Sequence, residues 1–502
     1  MSVLLSAMLL ASAALTVNDV SACDQWALHN NGAFYFEEEK ERYFFYDGSD
    51  PAELGPGAWS DPSKYGIRME MERKDAVSGI DINIEEAWNH YGSGSREVVV
   101  AMIDTEIDFS HEDLRGRLWV NSDEIPGNGV DDDHNGYIDD VNGWNFSGDN
   151  NQAAVSSGNK HGTHGAGTIC AVSNNGIGIS GIVPGSNIKI MPVKVMDDNG
   201  GNSSTTLLIR AIKYAQENGA DICNLSVVSM YNDSTLYDTM KNSPMLFVVA
   251  AGNGEEGHDL GNNVDQTPVY PAAFDIENMI TVANLTCDGS LNGTSNYGKT
   301  SVDLAAPGTN ILSTVPGNAY KQMSGTSMAA PMVTGTAAML YSKYPDINIY
   351  EIKEILLRSV TPLETLKGKV ASGGMLNAGS ALSFDRSQIS VKNKPAVRQS
   401  AKNAPVVESA LYEHQGETLL MIRVVDADND IKHMLITRGL RKMSYFGTGA
   451  SDIARFTVNE HGLVFYRIKE HGVYTVLITD EAGNMTLEHI STYPEKLGPG
   501  AL

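Results

Sequence analysis

The feature that most constrains the fold is a run of apolar residues that ends in a carboxylate. Residues 98 to 103 are all apolar, and Asp104 follows them directly. A short continuous apolar run of this kind predicts a strand that is buried on both faces, as in a parallel sheet covered by helices. In open α/β sheets the functional residues lie at the carboxyl ends of such strands. We therefore expect an α/β fold with Asp104 at the functional edge of its sheet.

A glycine-rich segment opens at His161 and runs into a helical pattern. It reads His-Gly-Thr-His-Gly-Ala-Gly-Thr, which places His161 and His164 three residues apart. Taken alone, this spacing also suits two metal ligands on one face of a helix. The segment therefore indicates either a catalytic histidine or a metal site.

A serine stands at the start of another helical segment. Residues 325–331 read Gly-Thr-Ser-Met-Ala-Ala-Pro, and residues 332–340 are small or apolar, as a buried helix requires. Ser327 then lies beside free backbone N–H groups and the positive end of the helix dipole, which suits a nucleophile that passes through an oxyanion. The alternative is an ordinary N-cap serine.

The order of these residues along the chain favours the catalytic interpretation. Asp, His and Ser follow one another in the order of the subtilisin triad, and the local motifs agree with it. From about Gln25 to about Leu382 the chain resembles subtilisin-type serine endopeptidases. The resemblance implies a doubly wound, mostly parallel sheet with helices on both faces.

The resemblance also implies a role for each motif residue. Asp104 matches the acid that orients the histidine, His161 the general base and Ser327 the nucleophile. Asn253, which follows the buried run Leu246–Ala251, matches the amide that binds the oxyanion. His164 matches a structural histidine of the same helix.

The predicted substrate-binding strands depart from the family pattern at one position. Ser226, Val227 and Val228 occupy the strand that pairs with substrate, and Val228 stands where the family has glycine. A β-branched side chain there should narrow the neighbouring subsites. Gly200 and Gly201 match the opposing strand. Glu106 also replaces an expected glycine, and the sequence gives it no role.

An acidic segment predicts a calcium loop. Its oxygen ligands alternate along the chain, a glycine provides the sharp turn, and neither an EF-hand glutamate nor flanking helices are present. The alternative is a solvated acidic turn. The candidate ligands are Asp131, Asp133, Asn135, Tyr137 through its carbonyl, and Asp139.

A second calcium site follows from the family resemblance. Its candidate ligands are Asp113, Asn175, the carbonyls of Ile177 and Ile179, and Gln25. One extra residue near Ser173 shifts this loop relative to the family pattern. Calcium is accordingly the expected cofactor, in a structural role.

Composition limits the partners and the disulfides. The chain has 502 residues and a formal charge of −26, with 36 basic and 62 acidic residues. That charge argues against nucleic acid as the partner and fits an acidic, soluble, calcium-binding protein. The family resemblance implies a peptide or protein substrate. Four cysteines are too few for a disulfide framework, so Cys170 and Cys223 are expected to be buried thiols.

The amino-terminal region allows two interpretations. Residues 1–22 include an apolar stretch that resembles part of a signal peptide or forms an extension, and it is too short for an ordinary spanning helix. Val20-Ser21-Ala22-Cys23 also resembles a lipoprotein cleavage box. No stretch long enough for an inhibitory prodomain precedes the peptidase region, so either the given start is truncated or the enzyme matures without one. We expect an extracellular or cell-envelope protein without a transmembrane anchor, monomeric in solution.

The chain is predicted to hold two domains. Residues 23–390 form the peptidase domain, with an aromatic and acidic insertion at about 33–79 that packs on it. Residues 391–403 are a polar linker. Short alternating runs then predict a β-sandwich over 404–502, which resembles bacterial immunoglobulin-like modules.

Two rival functions remain open at this point. A catalytically inactive homologue that binds peptides would keep the fold and lose a triad member, whereas all three residues are present. A metal-dependent hydrolase would use His161 and His164 as ligands and would leave the Ser327 motif unexplained. Labelling by a serine-directed phosphonate separates these functions.

Overall fold

A computed structural model of the chain describes two compact units. The first unit holds most of the chain up to Lys392, and the second holds most of it from Asn393. None of the helices in the described part of the chain is long and apolar enough to cross a membrane. The described residues are 18–46, 64–108, 110–153, 158–197, 203–254, 260–391, 406–414, 417–425, 431–438, 451–457, 462–469, 473–480 and 485–491.

The first unit contains both strands and helices. Its strands are β1 (Tyr35–Phe45), β2 (Tyr65–Asp75), β3 (Val98–Asp104), β4 (Trp144–Asn145), β5 (Ile188–Lys194), β6 (Ile222–Leu225), β7 (Leu246–Ala250), β8 (Met279–Leu285), β9 (Leu304–Pro307), β10 (Ile311–Val315), β11 (Ala319–Met323), β12 (Thr361–Pro362) and β13 (Gly374–Met375). Its α-helices are α1 (Ile84–Tyr91), α2 (His161–Cys170), α3 (Thr205–Glu217), α4 (Ser234–Lys241), α5 (Thr326–Lys343), α6 (Ile349–Arg358) and α7 (Ala378–Leu382). Short 3₁₀ turns occupy Ala22–Asp24, Glu112–Leu114, Glu364–Leu366 and Arg386–Gln388.

One large sheet organises the first unit. Its strand order is β12-β13-β9-β8-β7-β6-β3-β5-β4, and each neighbouring pair is parallel except β12 with β13. The chain passes from β5 on one side of β3 to β6 on the other, so the strand order reverses at β3. Open α/β sheets form their binding crevice at such a switch point. The predicted α/β class and mostly parallel sheet are confirmed.

Burial explains why these segments form strands and helices. Every residue of β7 and β8 is buried, and only Val99 of β3 is less than fully covered, as expected for parallel strands. Helix α5 is buried almost along its whole length and packs against the central strands β6, β7 and β8. Gly335 lets α5 approach the segment between α2 and β5, because a Cβ atom there would lie 2.9 Å from the side chain of Ile182. Cys170 and Cys223 are buried and free, as predicted.

The insertion at about 33–79 contributes an antiparallel hairpin. Strands β1 and β2 pair from Tyr35 with Asp75 to Phe45 with Tyr65. At the base of the hairpin, the rings of Phe34 and Phe36 contact Trp26. The indole of Trp26 donates a hydrogen bond to the carbonyl of Thr309, at 2.9 Å. The insertion therefore packs on the first unit at its base.

The second unit consists of antiparallel β-structure. Two sheets form, β14-β15-β18 and β17-β16-β19-β20. One hydrophobic cluster draws buried residues from both, such as Ile422 of β15 and Ile478 of β19. The strands are β14 (Val406–His414), β15 (Glu417–Val425), β16 (Ile431–Arg438), β17 (Ala454–Phe456), β18 (Leu463–Arg467), β19 (Val473–Asp480) and β20 (Met485–Ser491).

Candidate active site

Asp104 and His161 meet at the carboxyl edge of the large sheet. Asp104 ends β3 and its side chain is fully buried, whereas His161 begins α2 and its side chain is 26% exposed. His161 Nδ1 lies 2.7 Å from Asp104 Oδ1. Burial lowers the pKa of His161, but the charge of Asp104 and the hydrogen bond to it raise the pKa by more. The pair therefore forms a basic imidazole with one ring nitrogen fixed and the other free for chemistry.

The loop that follows β3 fixes the first turn of α2. Helical N–H groups in the first turn have no partner within the helix. Here the N–H of Gly162 donates to Thr105 Oγ1 at 2.9 Å, and the N–H of His161 donates to Asn159 Oδ1 at 3.1 Å. A Cβ atom on Gly162 would lie 2.9 Å or less from the carbonyl oxygens of Thr105 and Glu106. Glycine at 162 is what lets α2 approach this loop.

Ser327 lies in the first turn of α5, which begins at Thr326. The residue before the helix, Gly325, has φ of +152°, a conformation that side chains rarely adopt. Asn253 lies beside this turn, and its Oδ1 accepts a hydrogen bond from the N–H of Thr326 at 3.1 Å. With its oxygen engaged, Asn253 presents its amide NH₂ as a donor next to Ser327.

Packing brings α2 and α5 together beside β3. Gly165, one turn into α2, lies between the two other elements, because a Cβ atom there would be 2.0 Å from Met102 Cε and 3.6 Å from Pro331 Cγ. Helices α2 and α5 therefore contact each other next to β3. Within the described residues, no hydrogen bond joins His161 to Ser327. The structure thus collects all four predicted residues at one edge, with the serine and the histidine not yet hydrogen-bonded.

His164 is directed into the protein. Its ring Nε2 lies 2.9 Å from the carbonyl oxygen of Ile311 and 3.1 Å from that of Lys321. Burial is the main reason that its pKa falls to about 4. A neutral, buried imidazole that donates to backbone carbonyls serves the packing of α2 against β10 and β11.

The predicted substrate strand follows β6. Val228 is 39% exposed, and its Cγ2 would lie 3.3 Å from a Cβ atom on Gly252, next to Asn253. Ser226 and Val227 precede it, both half-buried. Ser229 then pairs with Tyr270 through two backbone hydrogen bonds of 2.7 Å. Gly200 and Gly201 lie outside the described residues.

Glu106 forms a buried ion pair that the sequence did not reveal. Its Oε2 lies 3.2 Å from Lys194 Nζ, and both side chains are at most 2% exposed. Lys194 ends β5, in register with Asp104 on the adjacent strand. Glu106 also accepts a hydrogen bond from the N–H of Asn159, at 3.2 Å.

The acidic segment forms an irregular loop, residues 121–143, called here the acidic loop. Carboxylate oxygens of Glu124, Asp133 and Asp140 lie within 4.8 Å of one another. Burial is the first cause that raises the pKa of Asp140, and the charge of Asp133 contributes. Three converging carboxylates, of which Asp140 is disfavoured as an anion, fit a hard divalent cation such as calcium.

The predicted ligands of this loop divide between two tasks. Asp133 belongs to the converging group. Asp131 instead accepts from the N–H groups of Asn135 and Gly136, and Asp139 from those of Asn128 and Gly129. The ring of Tyr137 packs against Trp144, Phe146 and Tyr214. Sequence spacing missed Glu124 because it precedes the acidic motif by seven positions.

The residues of the second predicted calcium site also lie together. Asp113 accepts hydrogen bonds from Asn175 Nδ2 at 2.7 Å and from the N–H of Ile179 at 2.9 Å. Ile177 N–H donates to Asn175 Oδ1, at 2.9 Å. Gln25 is nearby but exchanges two hydrogen bonds of 2.8 Å with the backbone of Ser180. Burial raises the pKa of Asp113, so its charge also lacks a strong partner.

Comparison with known proteins identifies the fold family. The family model described as the subtilase family matches residues 95–382. The chain belongs to the subtilase family. That match contains Asp104, His161, Asn253 and Ser327, and it ends before the second unit.

Three relatives illustrate the range of this similarity. The chain is 32% identical to subtilisin-like protease 1 of Plasmodium falciparum (isolate 3D7) over 349 residues, 65% of this chain and 49% of that protein. It is 33% identical to the major intracellular serine protease of Bacillus subtilis (strain 168) over 312 residues, 60% of this chain and 88% of that protein. It is 35% identical to thermitase of Thermoactinomyces vulgaris over 266 residues, 52% of this chain and 80% of that protein. This subtilase therefore spans about half the length of the Plasmodium relative that it matches.

Proposed function

We propose that this subtilase is a serine endopeptidase that hydrolyses peptide bonds through an acyl-enzyme. The observation that carries the proposal is the 2.7 Å contact between His161 Nδ1 and Asp104 Oδ1 at the carboxyl end of β3. A basic imidazole with a fixed tautomer is what a serine hydroxyl requires for activation. The relatives named serine proteases support the same reaction.

Each residue has a defined step in this mechanism. His161 Nε2 takes the proton of Ser327 as the hydroxyl attacks the carbonyl carbon, and later gives it to the leaving amine. Asp104 holds the tautomer and stabilises the imidazolium. The Asn253 amide and the backbone N–H of Ser327 donate to the oxygen of the tetrahedral intermediate. Water then releases the acyl group by the same proton transfers in reverse order.

The decisive test is the reaction of Ser327 with a serine-directed phosphonate. We expect stoichiometric labelling of Ser327, and we expect Ser327→Ala to reduce peptide hydrolysis to background with the fold unchanged. Ser324→Ala, an exposed serine three residues earlier, is the matched control and should keep full activity. Activity in Ser327→Ala, or labelling elsewhere, would refute the assignment.

The metal-dependent hydrolase is disfavoured by the directions of its two histidines. His161 Nδ1 is engaged by Asp104, and His164 Nε2 is engaged by two carbonyls inside the unit. A shared metal would need ring nitrogens of both to converge. The second rival function, a catalytically inactive homologue, is disfavoured because the edge of the sheet keeps all three residues of the triad, Asp104, His161 and Ser327.

Substrate binding is proposed to use the segment that contains Ser226, Val227 and Val228, facing Gly200 and Gly201. An extended peptide would add to this segment by backbone hydrogen bonds, with side chains in subsites. The exposure of Val228 beside Gly252 and Asn253 supports a place at the edge of that cleft. The natural substrate is a peptide or protein.

Calcium is proposed as a structural cofactor at two places. Glu124, Asp133 and Asp140 would hold one ion, with Asp131, Asn135, Tyr137 and Asp139 shaping the loop around it. Asp113, Asn175 and the Ile177 and Ile179 carbonyls would hold the second, near Gln25. A bound ion would neutralise buried carboxylates and tie the loops to the unit.

The remaining organisation is proposed as follows. Residues 23–390 form the peptidase domain, with helices on both faces of its sheet, and 391–403 form a linker. The shared hydrophobic cluster supports a β-sandwich of immunoglobulin-like type over 404–502. We propose a monomer outside the cell or in its envelope, which size-exclusion chromatography and fractionation would test. The Bacillus relative, named an intracellular protease, marks the alternative location.

A further inference from the structure

We propose that Glu106 is a positioning residue for His161, acting through its buried ion pair with Lys194. The inference rests on the proposed peptidase function and adds to it a control on the pH at which the histidine becomes a base. Glu106 stands at a position where the family pattern has glycine, and its side chain makes contacts that glycine could not make.

The pair connects three parts of the active-site edge. Lys194 comes from the end of β5, Glu106 from the loop after β3, and Asn159 from the segment before α2. The Glu106 carboxylate binds Lys194 Nζ with one oxygen and the Asn159 N–H with the other. The side chain of Asn159 in turn accepts from the N–H of His161. Glu106 therefore reaches the backbone of the catalytic histidine through one intervening residue.

Burial makes this pair electrostatically important. The side chain of Glu106 is fully buried and that of Lys194 is 2% exposed, so water screens their charges little. Lys194 lies in register with Asp104 on the neighbouring strand, and Asp104 precedes Glu106 by two residues along the chain. While both partners are present, their charges oppose each other and leave the negative charge of Asp104 to act on His161.

Few other charges face His161 from the surrounding elements. His164, one turn along α2, is neutral because its pKa is about 4. Residues 325–331 at the start of α5 contain no titratable side chain other than the Ser327 and Thr326 hydroxyls, and Asn253 is neutral. Asp104 supplies the charge that raises the pKa of His161. A single unbalanced charge at position 106 or 194 should therefore shift that pKa measurably.

The sign of the shift differs between the two partners. Glu106→Gln leaves the Lys194 cation without its carboxylate, which disfavours the imidazolium and lowers the pKa of His161. Lys194→Met leaves the Glu106 anion, which favours the imidazolium and raises it. Because His161 must be neutral to act as a base, the acid limb of kcat/KM should move to lower pH in the first variant and to higher pH in the second.

The test measures pH profiles of kcat/KM for a chromogenic peptide with the full chain. We expect opposite shifts of the acid limb, each on the order of half a pH unit or more, and a limb close to the wild-type value in Glu106→Gln/Lys194→Met. Glu106→Asp keeps the charge and serves as the matched control, so its limb should stay in place even if kcat falls.

Two results would overturn the inference. Unmoved limbs in both single variants, or shifts in the same direction, would show that the pair only stabilises the fold. If Glu106→Gln does not fold, the acid limb of Lys194→Met, compared with that of the double variant, which carries neither charge, still decides the inference. Absence of Ser327-dependent hydrolysis in the wild-type chain would instead refute the proposed function, which separates the two failures.

Discussion

The active-site edge and the acidic loop both concentrate carboxylates, yet they balance charge differently. At the active-site edge, Asp104 faces His161 and Glu106 faces Lys194. In the acidic loop, Glu124, Asp133 and Asp140 converge, and none has an ion-pair partner among the residues that the structure describes. Asp140 receives only neutral donors, from Asn121, Asn135 and Tyr214. One region contains its own cations, whereas for the other we propose a cation from solution.

The difference is whether buried charges are compensated by side chains of the protein or by an ion from solution. Burying a charge is costly unless a partner compensates it. The active-site edge meets that requirement with side chains, so its geometry is set when the sheet forms. In the acidic loop, neutral donors compensate the carboxylates, such as the N–H groups of Asp132 and Asp139 that donate to Glu124. A bound cation or proton should add to that compensation, so we expect the stability of this loop to depend on the solution.

The largest effect is expected from breaking the pair that does the chemistry. Asp104→Asn should lower kcat by about 10⁴-fold, because the amide no longer holds the required tautomer of His161 or stabilises its charged form. Stopped assays with a chromogenic peptide measure the loss, and circular dichroism checks the fold. An activity within about tenfold of wild type would contradict a triad role for Asp104.

A smaller loss is expected at the oxyanion donor. Asn253→Asp keeps an oxygen that accepts from the N–H of Thr326 but removes the amide donor, so kcat should fall about 10² to 10³-fold with KM little changed. Asn253→Ala should lose a similar factor. If Asn253→Asp were as active as wild type, the side chain would serve only to cap α5.

Removal of calcium should destabilise the acidic loop and leave the active-site edge unchanged. We expect excess chelator to lower Tm by several degrees before it lowers turnover, because an ion that binds only the folded state stabilises it by mass action. Glu124→Gln should abolish the part of that difference that comes from the acidic loop. Asp123→Asn, an exposed acid beside it, is the control and should retain the calcium response. A Tm that chelator leaves unchanged would remove both calcium proposals.

The calcium response should also depend on pH. In the folded protein without an ion, burial raises the pKa of Asp140 and Asp113, so protons compete with calcium for these carboxylates. For a raised carboxyl pKa, the folded state binds more protons than the unfolded state, and the chain without calcium loses stability as pH rises towards that pKa. The gain in Tm from calcium should therefore be largest at neutral pH and shrink as pH falls through the raised values. A gain that is constant from pH 4 to 7 would contradict this linkage.

The smallest effect should come from a change beside the active site that leaves every charge in place. Val228→Gly removes a half-exposed side chain next to Gly252 and should broaden the cleavage profile towards larger residues, by a few-fold in the ratio of kcat/KM values. Met230→Ala, two residues further on and also exposed, is the control. An unchanged profile in a stable Val228→Gly enzyme would show that the valine points away from bound substrate.

Sequence motifs predicted the strand and helix ends that carry the candidate catalytic residues, but not the ion pair and hydrogen bonds between these elements. Asp104, His161 and Ser327 each sit in a local pattern whose physics is short-range: a buried strand end and two helix starts. The pairing of Glu106 with Lys194 joins residues 88 positions apart through strand register, and no local pattern encodes it.

The acidic loop is a second case in which local sequence patterns did not predict the contacts. The alternating spacing of acidic residues in the sequence indicated Asp131 and Asp139 as ligands, and in the structure their side chains accept hydrogen bonds from the loop's own backbone. Glu124 and Asp140 come close to each other only when the loop has folded. The regular spacing of acidic residues predicts the metal ligands correctly only when the backbone path is fixed, as in a loop between two helices. Here the path is irregular, so the fold decides which oxygens converge.

The position of β3 between β5 and β6 has a consequence for folding. Asp104 and Ser327 are separated by 223 residues of chain, and the sheet that unites them is built almost entirely from parallel, non-local pairings. Such pairings form slowly because the intervening chain must be ordered before they gain contacts. The nucleophile and its base therefore meet only when β3, β5, β6 and β7 are all in place. A partly folded chain would therefore lack the proposed peptidase activity.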